Sequence, residues 1–239
     1  IDGPGVVHFS GANATINTGA LPGAELRFTN SSLAGTGTVS SAGTLTFFNN
    51  NVITADISNS GTINVHHQGN SFSGQLSTTG TSLLNLEITQ NSNPQITFAS
   101  GFTNNGTIEL GQSIAYGRTT ILDVTSGELV NAPAGVILSS GTQGTRTIAA
   151  PLNNQGLMTV SFPVTLSHAT ETITNTGSMV VDESQTLTVT GDFAYSGGTI
   201  DGPGVVHFNG ANATINTGAV PGAELRFTNS SLGASLPLV

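Results

Sequence analysis

Five histidines (His8, His66, His67, His168 and His207), thirteen carboxylates and four arginines carry most of the chemistry open to this chain of 239 residues, which contains no cysteine and no lysine. A metal site needs three or four of these donors to converge. His66 and His67 are adjacent, and in a strand adjacent side chains leave by opposite faces; His8 and His207 are one position of a repeat seen twice. Glycoside hydrolysis needs two facing carboxylates, and metal-assisted cleavage needs a metal set as well. Asp2, Asp56, Asp123, Asp182, Asp192, Asp201 and the seven glutamates are scattered, and Asp182 and Glu183, the one adjacent pair, point apart if extended. Arg118 and Arg146 have no acidic cluster beside them in the sequence. The reading is of a non-catalytic chain, with no catalytic, cofactor-binding or metal residue assigned and no cofactor expected.

Three other patterns have plain explanations. Glu25 and Arg27, repeated as Glu224 and Arg226, sit two apart on one strand face and form an exposed ion pair worth roughly 0 to 1 kcal/mol; a contact between fibres is the sharper alternative. Thr44-Leu-Thr46 and Thr186-Leu-Thr188 resemble pieces of an ice-binding face, but Ile63-Asn-Val65 and Ile108-Glu-Leu110 interrupt the series. Asn13, Asn30, Asn105, Asn212 and Asn229 begin N-glycosylation triplets, which arise by chance in a chain so rich in Asn, Ser and Thr. The calcium-binding Gly-Gly-x-Gly-x-Asp repeat is missing.

The bulk composition narrows the class. Only 7% of residues are charged, with a net charge of −9, so nucleic acid and anionic membrane surfaces are not expected partners. No apolar run reaches the roughly 20 residues of a membrane span. With 36% hydrophobic residues, the chain can still bury a core.

The elements that must carry these side chains are short strands. Glu25-Leu-Arg-Phe-Thr29, Thr44-Leu-Thr-Phe47, Thr62-Ile-Asn-Val65, Thr107-Ile-Glu-Leu110 and Thr186-Leu-Thr-Val189 alternate polar and apolar with period two, the pattern of a half-buried strand. Leu26, Phe28, Leu45, Phe47, Ile63, Val65, Ile108, Leu110, Leu187 and Val189 are the expected inward residues. Between strands recurs an aliphatic or aromatic residue followed by Asn and Gly, starting at Ile57, Phe102, Leu129, Leu152, Ile173 and Ile200, in steps of 20 to 27 residues once the step from Ile57 to Phe102 is taken as two. Asn105-Gly106, Asn209-Gly210, Asn17-Thr-Gly19, Asn59-Ser-Gly61 and Pro22-Gly23 are read as turns using positive φ. A longer repeat lies over this one: Ile1 to Leu33 returns as Ile200 to Leu232 at an offset of 199, identical in 31 of 33 positions and differing at Ser10/Asn209 and Leu21/Val220. Such self-similarity predicts a solenoid of about nine or ten turns. An antiparallel sandwich is the competitor, disfavoured because corner and strand follow in the same sense at each step.

The turns Ile57 to Ile63 and Phe102 to Ile108 resemble those of filamentous-haemagglutinin-type and autotransporter-type bacterial surface proteins. That resemblance implies a right-handed parallel β-helix, exported through the envelope and displayed or released as a fibre with adhesive or scaffolding duties. The domain reading is then 1–199 as one full period, 200–232 as the start of the next, continuous with it, and 233–239 as a tail. The expected function is an extracellular or cell-surface structural fibre of adhesin type, with copies of itself, head-to-tail or lateral, and cell-surface glycans as partners. No cap is read at either end, and the two 33-residue segments are expected to share one backbone. The alternatives are a carbohydrate-active β-helix enzyme of lyase or glycosidase type, and a carbohydrate- or ice-binding module.

Overall fold

The structure is a computed structural model that describes residues 5–17, 19–21, 24–215 and 222–234. Residues 1–4, Pro22-Gly23, Val220 and residues 235–239 of the tail lie outside the described residues. The described residues form strands of two to six residues and no helix. All pairings between these strands are parallel, each strand meeting its counterpart one turn on. The chain therefore climbs as a three-faced parallel β-solenoid of about 10 turns, roughly 21 residues each, and the antiparallel sandwich is excluded.

The first face is a sheet of 10 strands running from Val6–Ser10 to Thr199–Asp201, and the second is a sheet of 11 strands from Asn13–Thr15 to Glu224–Thr228. The third is split into 4 strands, Gly19–Leu21 to Leu76–Thr78, and 7 strands, Phe102–Asn104 to Ser231–Ala234. Turn length varies: Thr44 pairs with Thr62 but Thr107 with Val136. Leu76 pairs with Ile57 inside the long step to Phe102, which therefore holds two turns.

Alternation makes the core. Side chains leave a strand to opposite sides, and parallel register puts like positions above one another. One inward column on the first face reads Leu26, Leu45, Ile63, Leu84, Ile108, Ile137, Met158 and Met179. All ten residues expected to point inward are buried, at 2% exposure or less. Each such side chain stabilises the fold by about 1.5 to 3 kcal/mol relative to exposure. Phe9, Phe28 and Phe47 stack with centroids 4.9 and 5.4 Å apart.

The recurrent Asn does more than turn: Asn59 and Asn104 accept from Gly61 N and Gly106 N through Oδ1, at 3.2 and 3.3 Å, and the column as a whole forms a ladder. Asn59, Asn104, Asn131, Asn154 and Asn175 close strands of the third face, each 1% exposed or less. Asn104 Nδ2 donates to Asn131 Oδ1 at 2.9 Å, Asn131 to Asn154 at 2.8 Å, and Asn154 to Asn175 at 2.7 Å. Each also donates to a backbone carbonyl on the first-face strand of the next turn, Val136, Leu157 and Ser178 respectively. Thr78 holds this place between Asn59 and Asn104, accepting from Asn105 N at 2.7 Å and donating to the Thr103 carbonyl at 3.0 Å. The ladder ends where Tyr195 takes the position and turns its hydroxyl to the Gly198 carbonyl.

The glycines after these asparagines also differ from expectation. Gly19 and Gly210 have positive φ, as the turn reading requires, whereas Gly61 and Gly106 do not. What Gly61 and Gly106 provide is closeness: a Cβ on either would run into a carbonyl oxygen of the turn below, Gly43 or Ser82. The motif is a device for close stacking.

The duplicated segments repeat the same strand pairings. Val6 pairs with Glu25 and Val205 with Glu224; Asn13 pairs with Ser32 and Asn212 with Ser231. Gly11 N donates to the Thr29 carbonyl at 3.0 Å and Gly210 N to the Thr228 carbonyl at 2.9 Å. Phe9 stacks on Phe28 at 12° and Phe208 on Phe227 at 17°. Their placement in the solenoid nevertheless differs. Val6–Ser10 and Glu25–Thr29 belong to the first face, Val205–Asn209 and Glu224–Thr228 to the second. Likewise Asn13–Thr15 lies on the second face and Asn212–Ile215 on the third. The second copy begins nine turns and one further face after the first, in an unbroken stack: Thr199–Asp201 pairs in parallel with the preceding turn.

Candidate ligand-binding cleft

Between the first and second faces the described chain turns in two to four residues everywhere except in three successive turns, where residues 89–94, 113–118 and 140–144 form longer loops. Their sequences are Thr89-Gln-Asn-Ser-Asn-Pro94, Ser113-Ile-Ala-Tyr-Gly-Arg118 and Ser140-Gly-Thr-Gln-Gly144, the first and third rich in the Asn, Ser, Gly and Pro that favour turns. Widened spacing, as between Phe102 and Leu129, was the trace of them in the sequence.

The loops are tied to one another. Arg118 Nε donates to Asn91 Oδ1 at 2.6 Å and Thr119 N to Asn93 Oδ1 at 3.1 Å, joining the first loop to the second. Gln112 joins the second to the third, donating to the Tyr116 carbonyl at 2.9 Å and accepting from Thr142 N and Gln143 N, both at 2.9 Å. Below them Arg146, 1% exposed, donates to the carbonyls of Leu110, Ser140 and Gln143 and lies 4.6 Å over the Phe162 ring.

A cleft of about 250 Å³ opens here, lined by Asn49, His67 and Gln68 from tight corners and by Asn91, Ser92, Asn93 and Arg118 from the loops. Tyr116 and Ile114, 44% and 38% exposed, stand on the loop that supplies Arg118. The lining holds amides, a hydroxyl, an imidazole and one guanidinium, and no carboxylate. Among the described residues the ion pairs are Glu25–Arg27 at 2.8 Å and Glu224–Arg226 at 2.9 Å, so Arg118 is the arginine left with a charge to offer a ligand.

His66 and His67 lie in a corner after the strand Thr62–Val65, not within a strand, and both rings pack on Phe48, at 5.4 and 5.6 Å. The opposite-face argument therefore fails for them. His67 Nδ1 donates to Asn49 Oδ1 at 2.9 Å, since an amide oxygen only accepts, and its Nε2 is shut off from solvent; neither nitrogen is free to act as a base. Burial pushes both imidazoles below their ordinary pKa, against the opposing pull of the Glu87 carbonyl and carboxylate on His66 and of Gln90 on His67. A group whose folded pKa is depressed binds its proton more readily when unfolded, so its stability is present above about pH 6.5 and lost on acidification. Hydrogen exchange at residues 66–70, corrected for intrinsic rates, should accelerate from pH 7 to pH 5 and do so less in His66→Gln/His67→Gln. Equal acceleration in both proteins would refute the assignment.

The remaining candidates stay apart. His8 and His207 meet Thr29 and Thr228 hydroxyls at 3.0 and 2.9 Å, and His168 Nδ1 accepts from Glu171 N. Among the described residues no three His, Asp or Glu converge on a metal-sized space. Asp182 accepts from Ser161 Oγ at 2.6 Å, while Glu128 and Glu171 share a recess of about 160 Å³ whose lining has no basic or aromatic residue. Thr147, Thr165 and Thr188 form an outward column, bounded by Ile121 and His207. No known protein family matches this chain, and neither a curated protein nor a solved structure matches it.

Proposed function

We propose that this chain is a non-catalytic extracellular fibre of adhesin type, in the style of filamentous-haemagglutinin-like and autotransporter-like bacterial surface proteins. In this reading the solenoid supplies length and stiffness, stacks on copies of itself, and grips a glycan in the corner cleft. The observation that carries the ligand is Arg118, an unpaired guanidinium among Asn49, Asn91, Ser92 and Asn93 on cross-tied loops. Amides and hydroxyls suit sugar hydroxyls, and a guanidinium suits a carboxylate or sulfate. Fixed loops lower the entropic cost of binding.

The test is calorimetric titration with acidic and neutral oligosaccharides. The acidic series should bind, and Arg118→Gln should weaken it by about tenfold or more, the equivalent of 1.4 kcal/mol. Binding of neither series, or indifference to Arg118→Gln, would defeat the cleft assignment; cleavage of the polysaccharide would replace this reading with the enzyme.

A further inference from the structure

Outward positions on the first face are mostly polar, as at Thr62 and Asn64 or at Thr107 and Glu109. Three successive strands break that rule: in Val136–Ser139, Leu157–Val160 and Ser178–Val181 the outward residues include Val136, Leu138, Leu157 and Val180, while Ile137, Met158 and Met179 point inward. Register joins the four into one patch, because Val136 pairs with Leu157 while Leu138 and Val180 both pair with Thr159. Strands apolar on both sides, such as Val136-Ile-Leu138 and Met179-Val-Val181, are the mark of a parallel sheet covered on both faces, usually by helices. Here the outer side still meets solvent: Leu157 is 37% exposed and the other three are half-buried. Carboxylates close the patch at both ends. The column reads Glu109, Leu138, Thr159, Val180 and Asp201 in register, four steps or about 19 Å along the solenoid axis.

We propose that this patch docks a cationic amphipathic helix of a partner protein, laid along the solenoid axis with its aliphatic stripe on Val136, Leu138, Leu157 and Val180 and a Lys or Arg over each of Glu109 and Asp201. The span of about 19 Å equals about 13 residues of helix, and an apolar stripe at i, i+4 and i+7 gives such a helix one face for the sheet. Charge selects the occupant. A second copy of this chain has no cation to bring: it lacks lysine, Arg27 and Arg226 already pair with Glu25 and Glu224, Arg146 is buried, and Arg118 sits in the corner cleft. Nucleic acid and anionic lipid meet carboxylates at both ends of the patch and a net charge of −9. A basic helix meets complementary charge at both ends and apolar side chains between them. The surface lies on a flat face and is independent of the glycan reading of the cleft.

The probe is a synthetic amphipathic helical peptide with a leucine stripe, carrying Arg at both ends or Glu in the same places, titrated against the whole chain by fluorescence anisotropy. The Arg form should bind about tenfold more tightly than the Glu form, or better. Leu138→Thr/Leu157→Thr/Val180→Thr, which keeps residues that suit a strand, should weaken the Arg form by about tenfold. Glu109→Gln/Asp201→Asn leaves the apolar packing alone and should bring the two peptides to within about twofold of each other, so the charge test stands even if the threonine variant fails to fold. No binding of the Arg form, equal binding of the two forms to the unaltered chain, or indifference of a folded threonine variant would each overturn the proposal. So would self-association of the unaltered chain in sedimentation that the threonine variant loses, since the occupant would then be a second copy.

Discussion

Arg146→Met should destabilise the central turns by about 3 to 5 kcal/mol. Its position in Thr145–Ala149 alternates inward, where an aliphatic residue is the rule, and it pairs in register with buried Thr120 and Val164. Desolvation pulls the guanidinium down to about 10, still far enough above neutrality to keep it charged. No carboxylate compensates it; backbone carbonyls do, Ser140 at 2.8 Å from Nη2, Gln143 at 2.8 Å from Nη1, and Leu110 at 3.3 Å from Nε. Methionine fills the volume but leaves the Ser140 and Gln143 carbonyls without this donor, at about 1 to 3 kcal/mol for each that water cannot reach, while the Leu110 carbonyl keeps its bond from Ser140 N at 3.0 Å. Lysine recovers only part, lacking the planar fork. Because solenoids can unfold turn by turn, the measurement is urea-dependent hydrogen exchange at 136–149. The same variant should weaken ligand binding, since loop 140–144 holds Gln112 and through it Tyr116. Full protection of 140–144 in Arg146→Met would show that this arginine is not what orders the corner.

Asn131→Leu comes next, at about 2 to 4 kcal/mol. The change is close in volume, so the cost is hydrogen bonding: Asn104 Nδ2 loses an acceptor and Asn154 Oδ1 a donor, both buried, and the half-buried Leu157 carbonyl loses a donor as well. Asn153→Leu, one residue before the ladder and facing outward, is the control and should stay within about 0.5 kcal/mol. Urea denaturation of the pair, followed by far-UV circular dichroism, reads the contrast. Similar midpoints would mean that the ladder follows the stack and does not help to hold it.

These residues also show what a sequence conceals. Period-two alternation was legible because a strand's geometry writes it directly, and Leu26, Phe28 and the eight others all point inward. The asparagines were visible but half read: Asn59 and Asn104 do bond the glycine N two residues on, as a turn requires, but the ladder shows only when the next rung places Asn154 above Asn131. The cleft needs long loops brought level on three successive turns, a coincidence of height that linear spacing does not display. Arg146 was noted only as an arginine without an acidic cluster beside it, and its inward position was not read. The one-face offset was hidden because turn length varies, so a 199-residue period cannot be divided into turns until every corner loop has been measured.

That offset governs how anything on this surface would be presented along a longer rod. A polymer repeating the 199-residue period advances by nine and a third turns per copy, which at 4.8 Å per turn is about 45 Å, and rotates its azimuth by a third of a circle. Orientation returns only after three copies, 28 turns or about 134 Å. The corner clefts then lie on a threefold screw and never in a row. Against a flat surface only one cleft in three can engage at once, so avidity grows slowly with length. Against a mesh of chains surrounding the rod, some cleft faces every direction.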